Sequence, residues 1–300
     1  MVSEEAMLEF LLPDEICRAL DDYKKERVYE IRIRDGQNVK INYASRNEEL
    51  RFGNKPIFCD FGTCNKIMAK AAEYSLYSVN NQIVEGYVTV VGGVRIGLCG
   101  EIVRENNGVK TIKNFSSLNV RIPHDVARCS ESVFAKITAS GKIINSLIVS
   151  APGKGKTTML RDLARKISFG NQNVLIVDER NEICSYSDGK PYFKTGGNCD
   201  VITYGSKEFA FSFGIRTMSP SVIITDELMT ELDSEAVMLA AAGGVKVIAS
   251  VHAEDVNELK SKGYLKKLLS SGLIGRYVFL SSETLGTIKY VYDGAFGRVL

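Results

Sequence analysis

The stretch SAPGKGKTT, residues 150–158, decides the fold of the second half of this chain of 300 residues. It follows an apolar run at 143–149 and precedes MLRDLARKIS at 159–168. In the latter segment the apolar residues recur at helical spacing and share one face: Leu160, Leu163, Ala164 and Ile167. A strand, a glycine-rich loop and a helix in this order are the context of a Walker A motif, so the sequence predicts a phosphate-binding loop.

The residue types of this loop suit a triphosphate. Glycines let successive backbone N–H groups turn toward an anion, and the N-terminus of the next helix adds partial positive charge. We expect Lys156 to reach the β- and γ-phosphates of ATP and Thr157 to join the shell of a Mg²⁺ ion. The predicted nucleotide-binding residues are Pro152, Gly153, Lys154, Gly155, Lys156, Thr157 and Thr158.

One position departs from the usual pattern, because Ser150 stands where its first glycine belongs. We expect this change to affect the geometry of the loop rather than a group that contacts phosphate. A dinucleotide-binding GxGxxG motif is excluded, since Thr158 occupies the place of the third glycine.

Two acidic residues end the apolar run VIITDE at 222–227. A nucleotide hydrolase needs a carboxylate for the Mg²⁺ shell and a group that orients or deprotonates the attacking water. We therefore expect Asp226 to bind the metal and Glu227 to act as the base. The alternative is an ordinary strand that ends in a solvated acidic turn.

A second run of this kind, VLIVDE at 174–179, lies between the two motifs. The carboxyl ends of parallel strands meet at one edge of a sheet, so Asp178 and Glu179 are expected to face the same crevice as the loop. Either Glu179 or Glu227 then polarises the water, and the sequence leaves that choice open. The alternative is a salt-bridged strand end with Arg180 as the partner.

A histidine ends the third apolar run, VKVIASV at 245–251. An imidazole with a pKa of about 6.5 can donate a hydrogen bond to a γ-phosphate and so sense its presence. We predict this role for His252, with a purely structural histidine as the alternative.

The two halves of the chain differ in the pattern of their apolar and polar residues. In the second half, apolar runs without polar alternation are separated by helical stretches, which is typical of a mainly parallel sheet covered by helices. In the first half Tyr29, Ile31 and Ile33 alternate with charged residues, which favours a smaller α+β domain. We place the domains at 1–135 and 136–300.

Several local elements are predicted for the first half. One amphipathic segment covers residues 8–20, a helix lies around 67–76, and a hairpin turns at Asp35-Gly36. A second hairpin is expected to turn on the two residues Gly92-Gly93, because glycine tolerates the positive φ of a tight turn.

Composition limits the class of protein. The chain is 45% hydrophobic and 25% charged, as in soluble globular proteins, and its net charge of +2 offers no global field for nucleic acid or an anionic membrane. The acidic N-terminus and the absence of a run of about 20 apolar residues predict a cytoplasmic protein with no direct membrane insertion. Seven scattered cysteines favour reduced thiols over a disulfide framework, and Cys59 and Cys64 lack the partners of a zinc site.

Taken together, these motifs resemble those of the secretion ATPase superfamily, the hexameric motors of type II and type IV secretion systems and type IV pili. The order is the same: the loop, the acidic box at 175–183, IRTMSPSVIITDEL at 215–228, and a histidine box that ends in ASVHA at 249–253. Within the superfamily the chain is most similar to a sporulation family. That similarity covers nearly the whole chain and is carried by the variant loop, VDERNEI at 177–183, EIRIR at 30–34 and GYVTVVGGVRIGLCG at 86–100.

The resemblance implies a RecA-like P-loop ATPase domain, preceded by the smaller α+β domain, with ATP and Mg²⁺ as ligands. It implies a homo-oligomer, a hexameric ring, peripheral to a membrane complex and working with membrane proteins of a sporulation secretion complex between mother cell and forespore. Arginines of the N-terminal domain approach the γ-phosphate in such relatives, and the candidates here are Arg95, Arg121 and Arg128. Ser221 and Asp226 depart from the superfamily pattern, which has Asp and Gly there.

The predicted catalytic residues are thus Glu227, Glu179, Lys156, His252 and Arg121, and the predicted metal ligands are Thr157 and Asp226. Two other functions stay open. RecA-like cores also drive nucleic-acid motors, although the near-neutral net charge of the chain argues against nucleic acid as its ligand. A nucleotide-dependent scaffold with little turnover is the other alternative.

Overall fold

The computed structural model describes residues 4–23, 27–43, 46–73, 79–105, 108–187 and 190–300. The chain divides into two compact units, Met1–His124 and Asp125–Leu300. The division falls at 124/125 rather than at 135/136, because the residues that follow His124 are held by the second unit.

The first unit is an antiparallel sheet covered by short helices. The helices are α1 (Glu4–Leu11), α2 (Asp14–Asp21), α3 (Thr63–Glu73) and α4 (Val79–Val84). The strands are β1 (Val28–Arg34), β2 (Gln37–Asn38), β3 (Lys40–Tyr43), β4 (Arg46–Glu49), β5 (Arg51–Phe52), β6 (Lys55–Pro56), β7 (Phe58–Cys59), β8 (Tyr87–Thr89), β9 (Arg95–Glu105) and β10 (Gly108–Arg121). Six of them form one sheet in the order β4-β3-β1-β10-β9-β8, whose inner face buries Ile31, Ile33 and Val120 against Leu11 and Ile67.

Two local predictions for this unit are corrected. The leading amphipathic segment is two helices, because Pro13, which has no N–H to donate, stands at the N-cap of α2. The second hairpin forms, but Thr89 pairs with Arg95, so five residues connect the strands instead of two. Gly92 and Gly93 do adopt positive φ, at 88° and 72°.

Two further predictions for the first unit agree with the described residues. The first hairpin is confirmed, since β1 pairs with β3 after the turn at Asp35-Gly36, with the short β2 between them pairing with β7. The helix expected around 67–76 is α3, which ends at Glu73, and residues 74–76 lie outside the described residues.

The second unit is a three-layer α/β domain. Its helices are α5 (Glu131–Lys136), α6 (Lys156–Phe169), α7 (Lys207–Met218), α8 (Glu231–Ala242), α9 (Val256–Ser261) and α10 (Lys266–Ser270). Its strands are β11 (Thr138–Ala139), β12 (Lys142–Ile143), β13 (Ser146–Val149), β14 (Val174–Asp178), β15 (Tyr186–Ser187), β16 (Lys190–Pro191), β17 (Cys199–Thr203), β18 (Val222–Thr225), β19 (Lys246–Val251), β20 (Arg276–Leu280) and β21 (Ile288–Asp293). The main sheet has the order β17-β14-β18-β19-β13-β20-β21, parallel throughout except for β21.

Both faces of this sheet are buried, as the apolar runs predict. In β13, Leu147 and Val149 pack into the cluster that holds α7 and α8, whereas Ile148 packs into the one that holds α6. The predicted RecA-like architecture, with a mainly parallel sheet after a smaller α+β unit, is confirmed. Because β19 lies between β13 and β18, the residues that follow these three strands form a row at one edge of the sheet.

A buried carboxylate on α6 forms hydrogen bonds with the segment at which the second unit begins. Asp162 is 4% exposed and accepts hydrogen bonds from the Arg128 N–H at 3.1 Å, the Ser130 N–H at 2.9 Å and the Ser130 hydroxyl at 2.7 Å. One turn further on, Arg165 contacts Asp125 at 2.7 Å. Residues 125–130 are therefore tied to the helix that follows the glycine loop.

Replacing Asp162 by asparagine is expected to lower the free energy of unfolding by about 2 kcal/mol at pH 7, because buried donors lose an ionised acceptor. Burial alone would raise the pKa of Asp162, but the Ser130 and Arg128 donors lower it overall. A depressed carboxyl pKa stabilises the fold above the unfolded-state pKa, and this contribution is lost as the pH falls through the folded-state pKa. Urea unfolding should thus show the difference shrinking in acid, and Asp200→Asn, on the exposed side of β17, is the matched control. An equal loss in both variants would contradict this account.

Candidate nucleotide-binding site

The predicted glycine loop joins β13 to α6. Gly153 and Gly155 have φ of 72° and 87°, a region that only glycine adopts without strain, and Gly155 is the N-cap of α6. Pro152 and Gly153 are exposed, while Lys154 donates to the Ser282 carbonyl at 2.9 Å. Thr157 and Thr158 lie in the first turn of the helix.

Lys156 is folded back into this loop. Its side chain is 6% exposed, and Nζ donates to the Ser150 and Ala151 carbonyls at 2.8 and 2.9 Å and contacts the Ser150 hydroxyl at 3.2 Å. Burial lowers its pKa to about 8, and the Glu227 carboxylate opposes this. The expectation that Ser150 affects loop geometry alone is therefore incomplete, because its hydroxyl is one of three acceptors for the lysine.

Asp226 follows β18 and is almost fully buried, at 5% exposed. Its nearest cation is the Lys207 Nζ, 3.4 Å from Oδ1, without hydrogen-bond geometry, so that this buried oxygen has no hydrogen-bond partner. Burial raises the pKa of Asp226 to about 7 despite the lysine. Lys207 also donates to Glu179 Oε2, and although burial alone would lower the pKa of Lys207, the two carboxylates raise it.

Glu227 has different partners. Its Oε1 lies 3.1 Å from His252 Nδ1, and its Oε2 lies 3.3 Å from the Arg180 guanidinium. Arg180 also contacts the Met229 sulfur at 3.1 Å. The strand-end ion pair considered for Glu179 and Arg180 is therefore replaced, since Arg180 pairs with Glu227 and Glu179 pairs with Lys207.

His252 lies at the end of β19, between the glycine loop and Glu227. Burial and the nearby Lys156 lower its pKa, while Glu227 raises it, and the net shift is downward. A neutral ring in this position donates its Nδ1 proton to the carboxylate and presents Nε2 as an acceptor. Donation from this ring to a phosphate then requires protonation or a turn of the ring, which the sequence-based prediction did not anticipate.

Asp178 corrects a prediction, because it does not face the crevice. It is fully buried, and its two oxygens accept the Glu182 and Cys184 N–H groups, each at 2.8 Å. Arg161 of α6 holds the same segment from the other side through the Glu182 and Ile183 carbonyls. These contacts shape the loop after β14 and place Glu179 at its start.

The three candidate arginines are distributed over both units. Arg95 and Arg121 lie directly opposite each other on β9 and β10 of the first unit. Arg95 stacks on Tyr87, with its guanidinium 3.8 Å from the ring centroid, and Arg121 contacts Glu30 at 3.2 Å. Arg128 belongs to the second unit and contacts Glu131 at 2.8 Å.

The oxygen donors of this site fit a magnesium ion. Mg²⁺ is usually held by one or two carboxylates together with substrate phosphates and water, rather than by an all-protein cage. The buried Oδ1 of Asp226, which has no hydrogen-bond partner, supplies such a carboxylate, and Thr157 supplies a hydroxyl. Over the described ranges no cluster of three or more His, Cys, Asp or Glu residues forms a metal cage of its own.

Lys207, which contacts site residues, and Arg161, which holds the loop after β14, were missed from the sequence. Arg180 was considered only as the partner of Glu179. Lys207 carried one usable signal, because a cation in the first turn of a helix opposes the helix dipole and therefore requires a compensating partner. Arg161 had none, since helical periodicity does not show that a charged residue is buried.

The fold is shared with known ATPases. The ATPase DotB of Legionella pneumophila superposes with a TM-score of 0.58 at 14% identity, over 89% of this chain and 76% of that one. The pilus retraction motor PilT, solved with bound ADP, superposes with a TM-score of 0.54 at 15% identity, over 87% and 76% of the two chains. At these identities the likeness concerns the fold alone.

Sequence relatives identify the family. The family model described as sporulation stage III, protein AA, matches residues 4–299. Stage III sporulation protein AA of Bacillus subtilis is 34% identical over 293 residues, 94% of this chain and 93% of that protein. The Arabidopsis thaliana protein SEEDLING PLASTID DEVELOPMENT 1 is 27% identical over 69% of this chain but only 30% of its own length. The chain belongs to the stage III sporulation protein AA family.

Proposed function

We propose that this protein is a Mg²⁺-dependent ATP hydrolase and the motor of a secretion-like complex between mother cell and forespore. The observation that carries the first part is the row at one edge of the parallel sheet: Lys156 after a positive-φ glycine loop, Glu227 in contact with His252, and the buried Asp226 oxygen that lacks a hydrogen bond. The second part rests on the family and on the resemblance to secretion motors.

In this proposal the loop N–H groups and Lys156 bind the phosphates of ATP, because both present positive charge at the start of α6. Asp226 and Thr157 hold Mg²⁺, which neutralises charge on the phosphates. Glu227 orients and deprotonates the attacking water, and His252 fixes the direction of that carboxylate. Burial of Lys156 and Asp226 strengthens each of these electrostatic contacts.

We also propose a homo-oligomeric ring, with six subunits by resemblance, in the cytoplasm at a membrane complex. Helices α7 and α8 support an interface, because they carry several exposed apolar side chains: Phe209 (61%), Phe213 (43%), Leu232 (53%) and Leu239 (64%). None of the helices in the described residues has the length and apolarity needed to cross a membrane. Arg121 is the candidate to approach the γ-phosphate.

The test is ATP hydrolysis by the full chain. We expect turnover in Mg²⁺ and none in excess EDTA, and light scattering should show a larger particle with a slowly hydrolysed ATP analogue than without it. Stimulation by single- or double-stranded DNA at moderate salt would favour a nucleic-acid motor instead. Assembly with ATP but without turnover would favour the scaffold, and neither binding nor turnover would refute the proposal.

A further inference from the structure

Lys207 is a buried cation that joins the two acidic strand ends of the site. It is 3% exposed, its Nζ donates to Glu179 after β14, and it lies 3.4 Å from Asp226 Oδ1 after β18. These acids are separated by 47 residues along the chain, and neighbouring strands of one sheet bring them together. The ammonium thus lies between two carboxylates that would otherwise repel each other.

The position of this lysine is unfavourable for the helix that carries it. Lys207 is the first residue of α7, where the unpaired N–H groups already concentrate positive charge. The cap of α7 is provided by Ser206, whose hydroxyl accepts the Phe209 N–H, so the lysine contributes nothing to that cap. A buried ammonium at this end of a helix is stabilised by the carboxylates it contacts.

We propose that Lys207 is a positioning residue, which fixes Glu179 beside Asp226 and limits the negative charge that Asp226 offers to the metal. The inference rests on the proposed function and assigns different tasks to the two glutamates. Glu179 is held by the buried lysine, whereas Glu227, paired with His252 and Arg180, keeps the role of water-activating base.

The charge of Lys207 predicts a split result for Lys207→Met. Without the ammonium, the repulsion between Nζ and Mg²⁺ is lost, so at pH 9, where protons compete less for Asp226, the Mg²⁺ midpoint for binding a fluorescent ATP analogue should fall about threefold. Glu179 loses the ion pair that positions it, so kcat should fall about tenfold while KM for ATP changes little. Lys207→Arg keeps the charge and should restore the wild-type Mg²⁺ midpoint.

Matched variants separate this role from simple packing. Lys142→Met, at the exposed position of β12, is the control and should match wild type in both readouts. Glu179→Gln removes the charge of the other, more exposed partner in the same contact. This variant provides the test if thermal unfolding shows that Lys207→Met does not fold. The double variant should lose no more kcat than Lys207→Met alone, because both changes act through one contact.

The wild-type arm tests the proposed function, and the variant arms test the inference. Wild-type values of kcat and Mg²⁺ midpoint in Lys207→Met would overturn the role of Lys207. So would an equal change of the Mg²⁺ midpoint in Lys207→Met and Lys207→Arg, or a Glu179→Gln variant with unchanged kcat. If wild type binds the analogue but does not hydrolyse ATP, the proposed function fails and the Mg²⁺ midpoints still decide the inference. If wild type binds no nucleotide, both are overturned.

Discussion

Lys156→Ala is expected to lower ATP turnover by about 10²–10³-fold, since it removes the only lysine of the loop whose ammonium is buried at the start of α6. Nζ is held within the loop by the Ser150 and Ala151 carbonyls. Phosphate must displace at least one of the acceptors of Nζ, and the ammonium then stabilises the charge that develops on the phosphate oxygens. The measurement is steady-state hydrolysis of ATP in saturating Mg²⁺.

Folding controls make this result interpretable. Burial lowers the pKa of Lys156 to about 8. Below that pH, keeping the buried ammonium charged destabilises the folded state, and this destabilisation diminishes as the pH rises from about 8 toward the pKa of the unfolded-state lysine. Lys156→Ala should therefore unfold at or above the wild-type temperature at pH 7. Lys142→Ala, an exposed lysine in the same unit, should leave turnover unchanged. An unchanged rate in Lys156→Ala would remove the basis for the site.

The features of the second unit that are local in sequence were predictable. The glycine loop requires positive φ at Gly153 and Gly155, and few sequences other than a phosphate-binding loop place a Lys-Thr pair at the next helix start. Apolar runs without alternation predicted β14 and β18, because strands buried on both faces need no polar positions. The antiparallel β21 gave no comparable signal, since only Val291 of its six residues is buried and its pairing is set by β20.

The partners within the site could not be predicted, because they depend on tertiary contacts. Sequence placed Asp178 and Glu179 together at the end of β14, yet Asp178 turns inward to two backbone N–H groups of its own loop. Glu179 is separated from Lys207 by 28 residues, and α7 packs on the sheet in a way that no local pattern specifies. The choice between Glu179 and Glu227 therefore needed the contacts of each carboxylate.

Glu227→Gln is expected to lower kcat by about 10²–10³-fold with little change in the binding of a fluorescent ATP analogue, because an amide cannot accept the proton of the attacking water. Two observations favour Glu227 as the base. Its carboxylate contacts His252 Nδ1 at 3.1 Å, and it interacts electrostatically with Lys156 at the glycine loop. Glu179 is instead held by the buried ammonium of Lys207 at the start of α7.

Comparison of Glu179→Gln with Glu227→Gln distinguishes a catalytic base from a positioning residue. Glu179→Gln should cost about tenfold in kcat, as expected for a residue that positions its neighbours, whereas the Glu227 change should leave almost no turnover. Glu208→Gln, an exposed glutamate beside Lys207, is the control and should behave as wild type. A larger loss in Glu179→Gln than in Glu227→Gln would reverse the assignment and make the Lys207-bound glutamate the base. Equal and small losses in both would instead indicate that neither carboxylate activates water, and the scaffold function would then account better for a loop that binds nucleotide.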